Sequence, residues 1–216
     1  MNVLALDGAL AGFSAAVARG EKIAACKQVP ATHALECGLG VLQCVLDEAR
    51  LEAARIDMLA VGCGPGRFTG LRIAIAYAKE LAAAWRVPLT AISSFDLLEF
   101  GRTFERVLTI VTGRPGVISA RYRRGDEMRR ASGRIADVLD ALLDNIPATP
   151  LPVLGAAEDV LAALAERGMT VQNVEPAVTP AAAAAALAAP SRTPARSVHE
   201  VSADYGELPA VTVRKR

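Results

Sequence analysis

The chain has 216 residues, of which 52% are hydrophobic and 22% charged, and its formal net charge is +1. That length suffices for one large domain or two small ones. A nearly neutral chain gives no overall reason to expect affinity for nucleic acids or membranes. The sequence lacks an apolar run of about 20 residues, the length of a membrane span. Because Asp7 interrupts the first apolar segment and no basic residue precedes it, we expect no signal peptide and a cytoplasmic protein.

The cysteines show no C-x-x-C spacing, which predicts reduced and mostly buried thiols. They are Cys26, Cys37, Cys44 and Cys63. In a helix, nearly one face would carry His33, Cys37 and Cys44. A metal site there would lack a carboxylate and a fourth ligand, so packing of a helix on a sheet is favoured and no metal site is predicted.

The first half of the chain alternates short apolar runs with turns. Its predicted elements are strands 2–7, 13–18 and 22–29, a helix 33–50 capped by Thr32, a strand 57–64, a helix 68–85, a strand 89–94 and a short helix capped by Ser94. The tight turn between the second and third strands indicates an antiparallel hairpin. The apolar stripe of the first helix has a 3.6-residue period. It comprises Leu35, Leu39, Leu42, Val45, Leu46 and Ala49.

A similar order then begins again. The predicted elements are strands 107–112, 116–125 and 127–132, a helix 135–143, a strand 151–155, a helix 156–167, a strand 171–174 and an alanine-rich helix 181–189. The repeat predicts an α/β protein with two lobes, residues 1–104 and residues 105–189, each with a mixed sheet flanked by helices. Residues 190–216, with three prolines and few apolar residues, are predicted to be an irregular tail.

The stretch VGCGPGRFTG, which begins at Val61, is a glycine-rich turn between a strand and a helix. Such a turn suits an anion. It lacks the Gly-Lys-Ser/Thr ending of a Walker A loop and does not fit G-x-G-x-x-G, so it is a weak nucleotide signal. Thr69 as a helix cap is the simpler interpretation.

The helix that follows is apolar over roughly two-thirds of its circumference, although one packed face needs only about 100°. Its polar residues Arg72, Lys79 and Glu80 occupy one narrow sector, with Ala76 and Ala83 between them. The excess apolar surface favours a partner surface over purely internal burial. The predicted interface residues are Phe68, Gly70, Leu71, Ile75 and Ala78.

Residues suited to catalysis are scarce. The strand-end Asp7, followed by Gly8, either holds a magnesium–phosphate group through water or caps the turn, and both readings stay open. Together with Gly155, these two form a candidate vestigial phosphate-binding set. Six arginines between Arg121 and Arg134 suggest either an RNA-facing patch or, preferably, a solvated pair of strands.

Three segments resemble the bacterial TsaB family, also called YeaZ. They are LALDGALAGFSAAV, GCGPGRFTGLRIAIAYAKELAAAWRVPLTAISSFDLL and VTGRPGVISARY. The family signature GPGSFTGLRIG is matched at Gly64, Pro65, Gly66, Phe68, Thr69, Gly70, Leu71, Arg72 and Ile73. The resemblance covers residues 1–122 well, and the remainder only by its order of elements.

The resemblance implies an actin-like ATPase (ribonuclease H-like) fold and a non-catalytic subunit. That subunit pairs with a catalytic TsaD-like subunit and a small TsaE-like ATPase. The complex transfers a threonylcarbamoyl group to N6 of adenosine 37 in tRNAs that read codons beginning with A. The helix after the signature would lie at the contact, in homodimers and in the pair with the catalytic subunit. tRNA would be reached through the complex. No cofactor is expected, and weak or lost binding of magnesium ATP or ADP stays open.

The sequence departs from the family pattern mostly by losing polar groups. Asp7 is followed by Gly8 and Ala9 rather than by hydroxyl residues, Arg67 replaces a serine, and Ala74 replaces a glycine. These changes favour the scaffold interpretation. The alternatives are an ATP-dependent phosphotransferase or metallopeptidase-like enzyme of the same fold, and a direct RNA-binding module that uses the arginines.

Overall fold

The computed structural model describes residues 1–10, 12–30, 33–144, 146, 150–188 and 197–206, with backbone only at positions 34 and 35. The elements of the first half are β1 (Asn2–Asp7), β2 (Phe13–Arg19), β3 (Lys22–Val29), α1 (Ala34–Glu48), β4 (Met58–Gly64), α2 (Phe68–Trp85), β5 (Leu89–Ser93) and α3 (Ser94–Glu99). Those of the second half are β6 (Arg106–Thr112), β7 (Val117–Arg124), β8 (Glu127–Arg134), α4 (Ile135–Leu143), β9 (Leu151–Leu154), α5 (Glu158–Glu166), β10 (Val171–Val174) and α6 (Pro180–Leu187). The predicted order of elements is confirmed.

The two sheets have the same topology. The first has the strand order β3-β2-β1-β4-β5 and the second the order β10-β9-β6-β7-β8. In each sheet the first three strands pair antiparallel and the remaining two join parallel to the first. The repeat that was read from the sequence is therefore a repeat of sheet topology.

Alternation along the strands gives the first sheet two apolar faces. Leu4, Leu6 and Val61 face α1 and α2, whereas Val3 and Ala5 face the opposite side. The helix α6 covers that opposite side, and its residues Ala181–Ala185 are buried there. The strands present alanines to it, and small side chains on both surfaces let the helix pack closely on the sheet.

This packing connects the two halves of the chain, because α6 follows the second sheet in sequence and lies on the first. The short helix α3 likewise contacts β4 and β5 of the first sheet and β6 of the second. The division into residues 1–104 and 105–189 stays a prediction. Within the tail predicted for 190–216, residues 198–200 form a 3₁₀ turn and Val201 is buried in the first core.

Several local expectations for α1 and the cysteines are wrong. Leu39 is 58% exposed, and Cys37 and Cys44 are exposed as well, so these residues do not pack α1 on the sheet. The rest of the described stripe is confirmed, because four of its predicted residues are buried and form the inward face together with Val41. They are Leu42, Val45, Leu46 and Ala49. The predicted cap Thr32 lies outside the described residues.

Two predicted helix caps differ from those in the structure. Ser93, not Ser94, caps α3, because its hydroxyl accepts a hydrogen bond from the Phe95 N–H at 3.3 Å. Thr69 lies inside α2, whose N-terminal flanking residue Arg67 makes no side-chain cap. Within the part of the chain that the structure describes, no helix is both long and apolar enough to cross a membrane.

Candidate functional site

The glycine-rich turn before α2 packs against the turn that follows β1. The Arg67 N–H donates to the Ala9 carbonyl oxygen at 2.8 Å. Gly8 and Gly70 meet backbone to backbone, and a Cβ on either residue would overlap the carbonyl oxygen of the other. Because Gly8 and Gly70 have no side chains, these two segments of the chain can pack closely together.

Asp7 lies at the carboxyl end of β1 with no solvent-exposed surface. Its Oδ2 accepts a hydrogen bond from the Leu10 N–H at 3.2 Å, which caps the turn. Its Oδ1 has no hydrogen-bond partner among the described residues. Burial raises the pKa of Asp7 from 3.8 to about 6, although hydrogen bonds from the backbone of Leu10 and Ala9 oppose the shift.

A second unpartnered group lies beside this carboxyl. Ser14 is paired with Asp7 in the antiparallel register of β1 and β2, so both side chains project from the same face of the sheet. The Ser14 Oγ is buried and also lacks a partner among the described residues. On the neighbouring strand, a Cβ at Gly62 would overlap the Asp7 Oδ1, so the glycine makes room for the carboxyl.

The predicted phosphate-binding set does not form an open cradle. Gly155 is exposed and has a positive φ of 72°, and a Cβ at this position would overlap the Ile110 carbonyl oxygen. The Gly70 backbone occupies the space that a side chain at Gly8 would need, and Asp7 is fully buried. Asp7 and Gly8 therefore offer no open surface to a magnesium nucleotide in this conformation, whereas Gly155 stays exposed. Among the described residues, no group of three His, Cys, Asp or Glu is placed to hold a metal ion.

The predicted interface residues of α2 differ in their exposure to solvent. Leu71, Ile75 and Ala78 are buried in the core of the first sheet. Gly70 is half-buried against the β1–β2 turn, whereas Phe68 is 56% exposed. The outward face is lined by Phe68, Thr69, Arg72, Ala76, Glu80, Ala83 and Ala84.

The helix α1 lies beside α2 on the same face of the sheet. The Tyr77 ring of α2 comes so close to Gly38 that a Cβ there would overlap it. The outward side of α1 carries Leu39, Gly40 and Cys44, all exposed. The outward sides of the two helices therefore carry small and apolar residues among charged ones such as Arg72 and Glu80.

A segment that we call the strap, residues 197–206, crosses from this region to the second sheet. The Asp204 N–H donates to the Cys63 carbonyl oxygen at 2.7 Å, and the Asp204 carboxylate pairs with Arg130 of β8. Tyr205 lies against Phe68, with ring centroids 5.0 Å apart. Burial, reinforced by the charge of Asp204, raises the pKa of the Cys63 thiol to about 11, so this thiol stays protonated at neutral pH.

The arginine cluster is largely engaged within the protein. Arg121 is 11% exposed on its side chain and forms ion pairs with Asp96 at 2.8 Å and Glu99 at 3.0 Å, both on α3. Arg123 pairs with Glu99 at 3.1 Å, and Arg130 pairs with the strap. Because these arginines join separate segments of the fold, the expected solvated strand pair describes only part of the cluster.

A family model described as TsaD: tRNA N6-adenosine threonylcarbamoyltransferase matches residues 31–186, well over half of the chain. The chain belongs to the TsaD/TsaB family. A Mycobacterium bovis protein described as uncharacterized is 32% identical over 73% of this chain and 73% of its own length. The TsaB protein of Escherichia coli, described as a tRNA threonylcarbamoyladenosine biosynthesis protein, is 30% identical over 58% of this chain and 57% of its own length. The match to an uncharacterized Mycobacterium leprae protein spans 30% of that protein.

Solved structures agree with this TsaD/TsaB assignment at the level of the fold. YeaZ from Pseudomonas aeruginosa superposes with a TM-score of 0.70 at 23% identity, covering 94% of this chain and 99% of that chain. The ethanolamine utilization protein EutJ from Carboxydothermus hydrogenoformans gives a TM-score of 0.55 at 12% identity, covering 86% and 89%. The predicted actin-like fold with two mixed sheets is confirmed.

Sequence reasoning missed the strap. Its residues come after a proline-rich stretch and carry no helix or strand period, so no local pattern pointed to Asp204 or Tyr205. The available signals were an aromatic residue next to a glycine and a few scattered apolar residues, and such signals are common in irregular tails.

Proposed function

We propose that this protein is a non-catalytic, activating subunit in the biosynthesis of tRNA threonylcarbamoyladenosine. In this proposal it binds a TsaD-like catalytic subunit, and a small TsaE-like ATPase joins them. The complex installs the N6-threonylcarbamoyl group on adenosine 37 of tRNAs that read codons beginning with A. tRNA is reached through the complex, and the protein works in the cytoplasm.

The observation that carries the proposal is the closed edge at the carboxyl end of β1. A nucleotide-dependent enzyme of this fold needs an accessible carboxylate and backbone groups that can approach phosphates. Here Asp7 has no exposed surface, and Gly8 packs on Gly70. At this edge the carboxylate and the glycine after it are thus enclosed by the protein's own packing.

The surface proposed for docking is the outward side of α1 and α2. Phe68 contacts the partner directly, and Gly70, Leu71, Ile75 and Ala78 support the helix from beneath. Exposed alanines along α2 and the exposed Gly40 of α1 allow another helix to approach closely. The same surface can serve a homodimer, in competition with the catalytic subunit.

Calorimetric titration of the purified chain tests the proposal, once with magnesium ATP and once with the catalytic subunit from the same organism. We expect binding of the subunit and no heat of binding with ATP. Binding of ATP at micromolar affinity without binding of the subunit would overturn the proposal. An Asp7→Asn variant, titrated with ATP in parallel, tells whether any ATP signal comes from the β1 carboxyl.

One observation favours an enzyme of the same fold, a phosphotransferase. The Asp7 Oδ1 has no partner among the described residues, and an unpaired buried oxygen at the end of β1 suits a ligand contact. The complete burial of Asp7 argues against the phosphotransferase. The metallopeptidase-like alternative has no such support, because the described residues offer no cluster of metal-binding side chains.

A further inference from the structure

Two large aromatic rings lie exposed where α2 begins. Phe68 is 56% and Tyr205 41% exposed, and their rings are tilted by 32° with centroids 5.0 Å apart. The Arg72 guanidinium lies over the Phe68 ring at 5.1 Å from its centroid. We call Phe68, Arg72 and Tyr205 the aromatic anchor. Exposed aromatic residues combined with arginine are typical of residues that dominate binding energy at interfaces.

The strap holds the aromatic anchor in place before any partner arrives. Val201 is 3% exposed in the first core, and the Asp204 N–H is bonded to the Cys63 carbonyl oxygen. The Gly206 N–H donates to the Asp204 Oδ1 at 2.8 Å, so Tyr205 is flanked by ordered backbone on both sides. A side chain that is already positioned loses little conformational entropy on binding.

Two arginines at the start of α2 give the aromatic anchor positive charge. Arg67 and Arg72 are both exposed, and no carboxylate among the described residues forms an ion pair with either. Asp204 on the strap is already paired with Arg130, and the first turn of α2 contains no acidic residue. The charge that complements this surface is therefore negative.

The arrangement of the rings favours a polypeptide over RNA as the source of that charge. Base stacking requires the open face of an aromatic ring. The Phe68 ring is already engaged by Arg72 and by Tyr205. With the Phe68 ring occupied in this way, the exposed Arg67 and Arg72 beside the apolar rings suit carboxylates interleaved with apolar side chains.

We propose that the aromatic anchor binds an acidic, partly apolar segment of the catalytic subunit, so that the strap belongs to the docking surface. This inference rests on the proposed function. It adds Arg72 and Tyr205 to the helix residues that were predicted for the contact, and it gives the chemistry of the segment that binds there.

The test is calorimetric titration of the full chain with the purified catalytic subunit. Tyr205→Ala and Phe68→Ala should each weaken binding about tenfold, the usual effect of truncating an interface anchor. Arg72→Glu should weaken it more than Arg72→Ala, because the new carboxylate repels the acidic segment. Raising the salt concentration should weaken wild-type binding more than binding of the Arg72→Ala variant.

Matched controls use an equally exposed methionine and arginine on the second sheet. Met128→Ala and Arg124→Glu should leave the affinity within about twofold of wild type. Thermal unfolding of each variant checks the fold. Tyr205→Ala changes a residue of the strap and could loosen that segment. Phe68→Ala tests the anchor without changing the sequence of the strap.

The outcomes separate the two proposals. A wild-type chain that does not bind the subunit overturns the proposed function, and the aromatic anchor falls with it. Wild-type binding with unchanged affinity in all the anchor variants overturns the inference alone. Anchor variants that keep subunit affinity but lose affinity for an unmodified tRNA transcript, measured by fluorescence anisotropy, also overturn it and mark an RNA surface.

Discussion

The backbone of Gly8 lies directly against the backbone of Gly70, without room for a methyl group on either residue. One glycine follows β1 and the other lies in the first turn of α2. Their contact fixes the start of α2 against the end of the first strand. In sequence, a glycine-rich turn of this kind suggests a phosphate-binding site. In this protein, its glycines allow two segments of the same chain to pack together.

Replacing Gly70 by alanine should destabilise the protein by about 1–3 kcal/mol, because the added Cβ forces apart two packed backbones. Urea denaturation measures the change. The matched control is Gly40→Ala on the exposed side of α1, where a Cβ meets nothing within 4 Å. That substitution should stabilise the helix by up to about 1 kcal/mol. Equal effects of the two substitutions would contradict the close contact.

Asp7 should make stability depend on pH. Its pKa is raised from 3.8 to about 6 in the folded protein, so between these values the folded state holds the proton more tightly than the unfolded state. Stability contributed by Asp7 is therefore present below pH 4 and is lost as pH rises towards 6. The difference corresponds to about 3 kcal/mol.

An Asp7→Asn variant should lack this dependence. Its stability relative to wild type should rise between pH 4 and pH 7, as measured by urea denaturation across that range. Ser14→Ala is the control, because it changes the neighbouring side chain without adding or removing a titrating group. Its stability difference from wild type should be the same at both ends of the range. A constant difference for Asp7→Asn as well would show that the carboxyl does not titrate in this window.

The two sides of α2 should respond differently to charge. Leu71 has no exposed surface, so Leu71→Glu buries an unpaired carboxylate and should prevent folding, as seen by circular dichroism. Ala76 is exposed on the same helix, so Ala76→Glu should change stability by less than about 0.5 kcal/mol. If the proposed docking surface is right, Ala76→Glu weakens binding of the catalytic subunit. A folded Leu71→Glu variant would contradict the placement of Leu71 in the core.

Arg121 should matter for stability rather than for RNA. Arg121→Met leaves Asp96 and the 9%-exposed Glu99 with fewer partners, and we expect a loss of about 3 kcal/mol. Arg124→Met, at an exposed position on the same strand, should stay within about 0.5 kcal/mol of wild type. Filter binding to tRNA completes the comparison. A selective loss of tRNA affinity in Arg121→Met with unchanged stability would restore the RNA-patch interpretation.

The sequence determined the elements and their order. Apolar period and turn residues are local, so β1, β3, α2, α4 and β10 have the bounds that were predicted. The repeated order also predicted two mixed sheets, and the structure shows that they share one topology. The same local rules misplaced Leu39, because a helical stripe shows which residues share a face but not how wide the buried contact is.

Only the tertiary structure decided what those faces and turns are used for. Leu71 and Phe68 lie three residues apart on one apolar helix, and only the position of the sheet makes one core and the other surface. Arg121 looks like any exposed arginine until α3 brings Asp96 and Glu99 to it. Asp204 and Tyr205 gain their roles from Cys63, Arg130 and Phe68, which are distant in sequence. Burial and pairing depend on such long-range contacts, and a single sequence does not encode them in any local pattern.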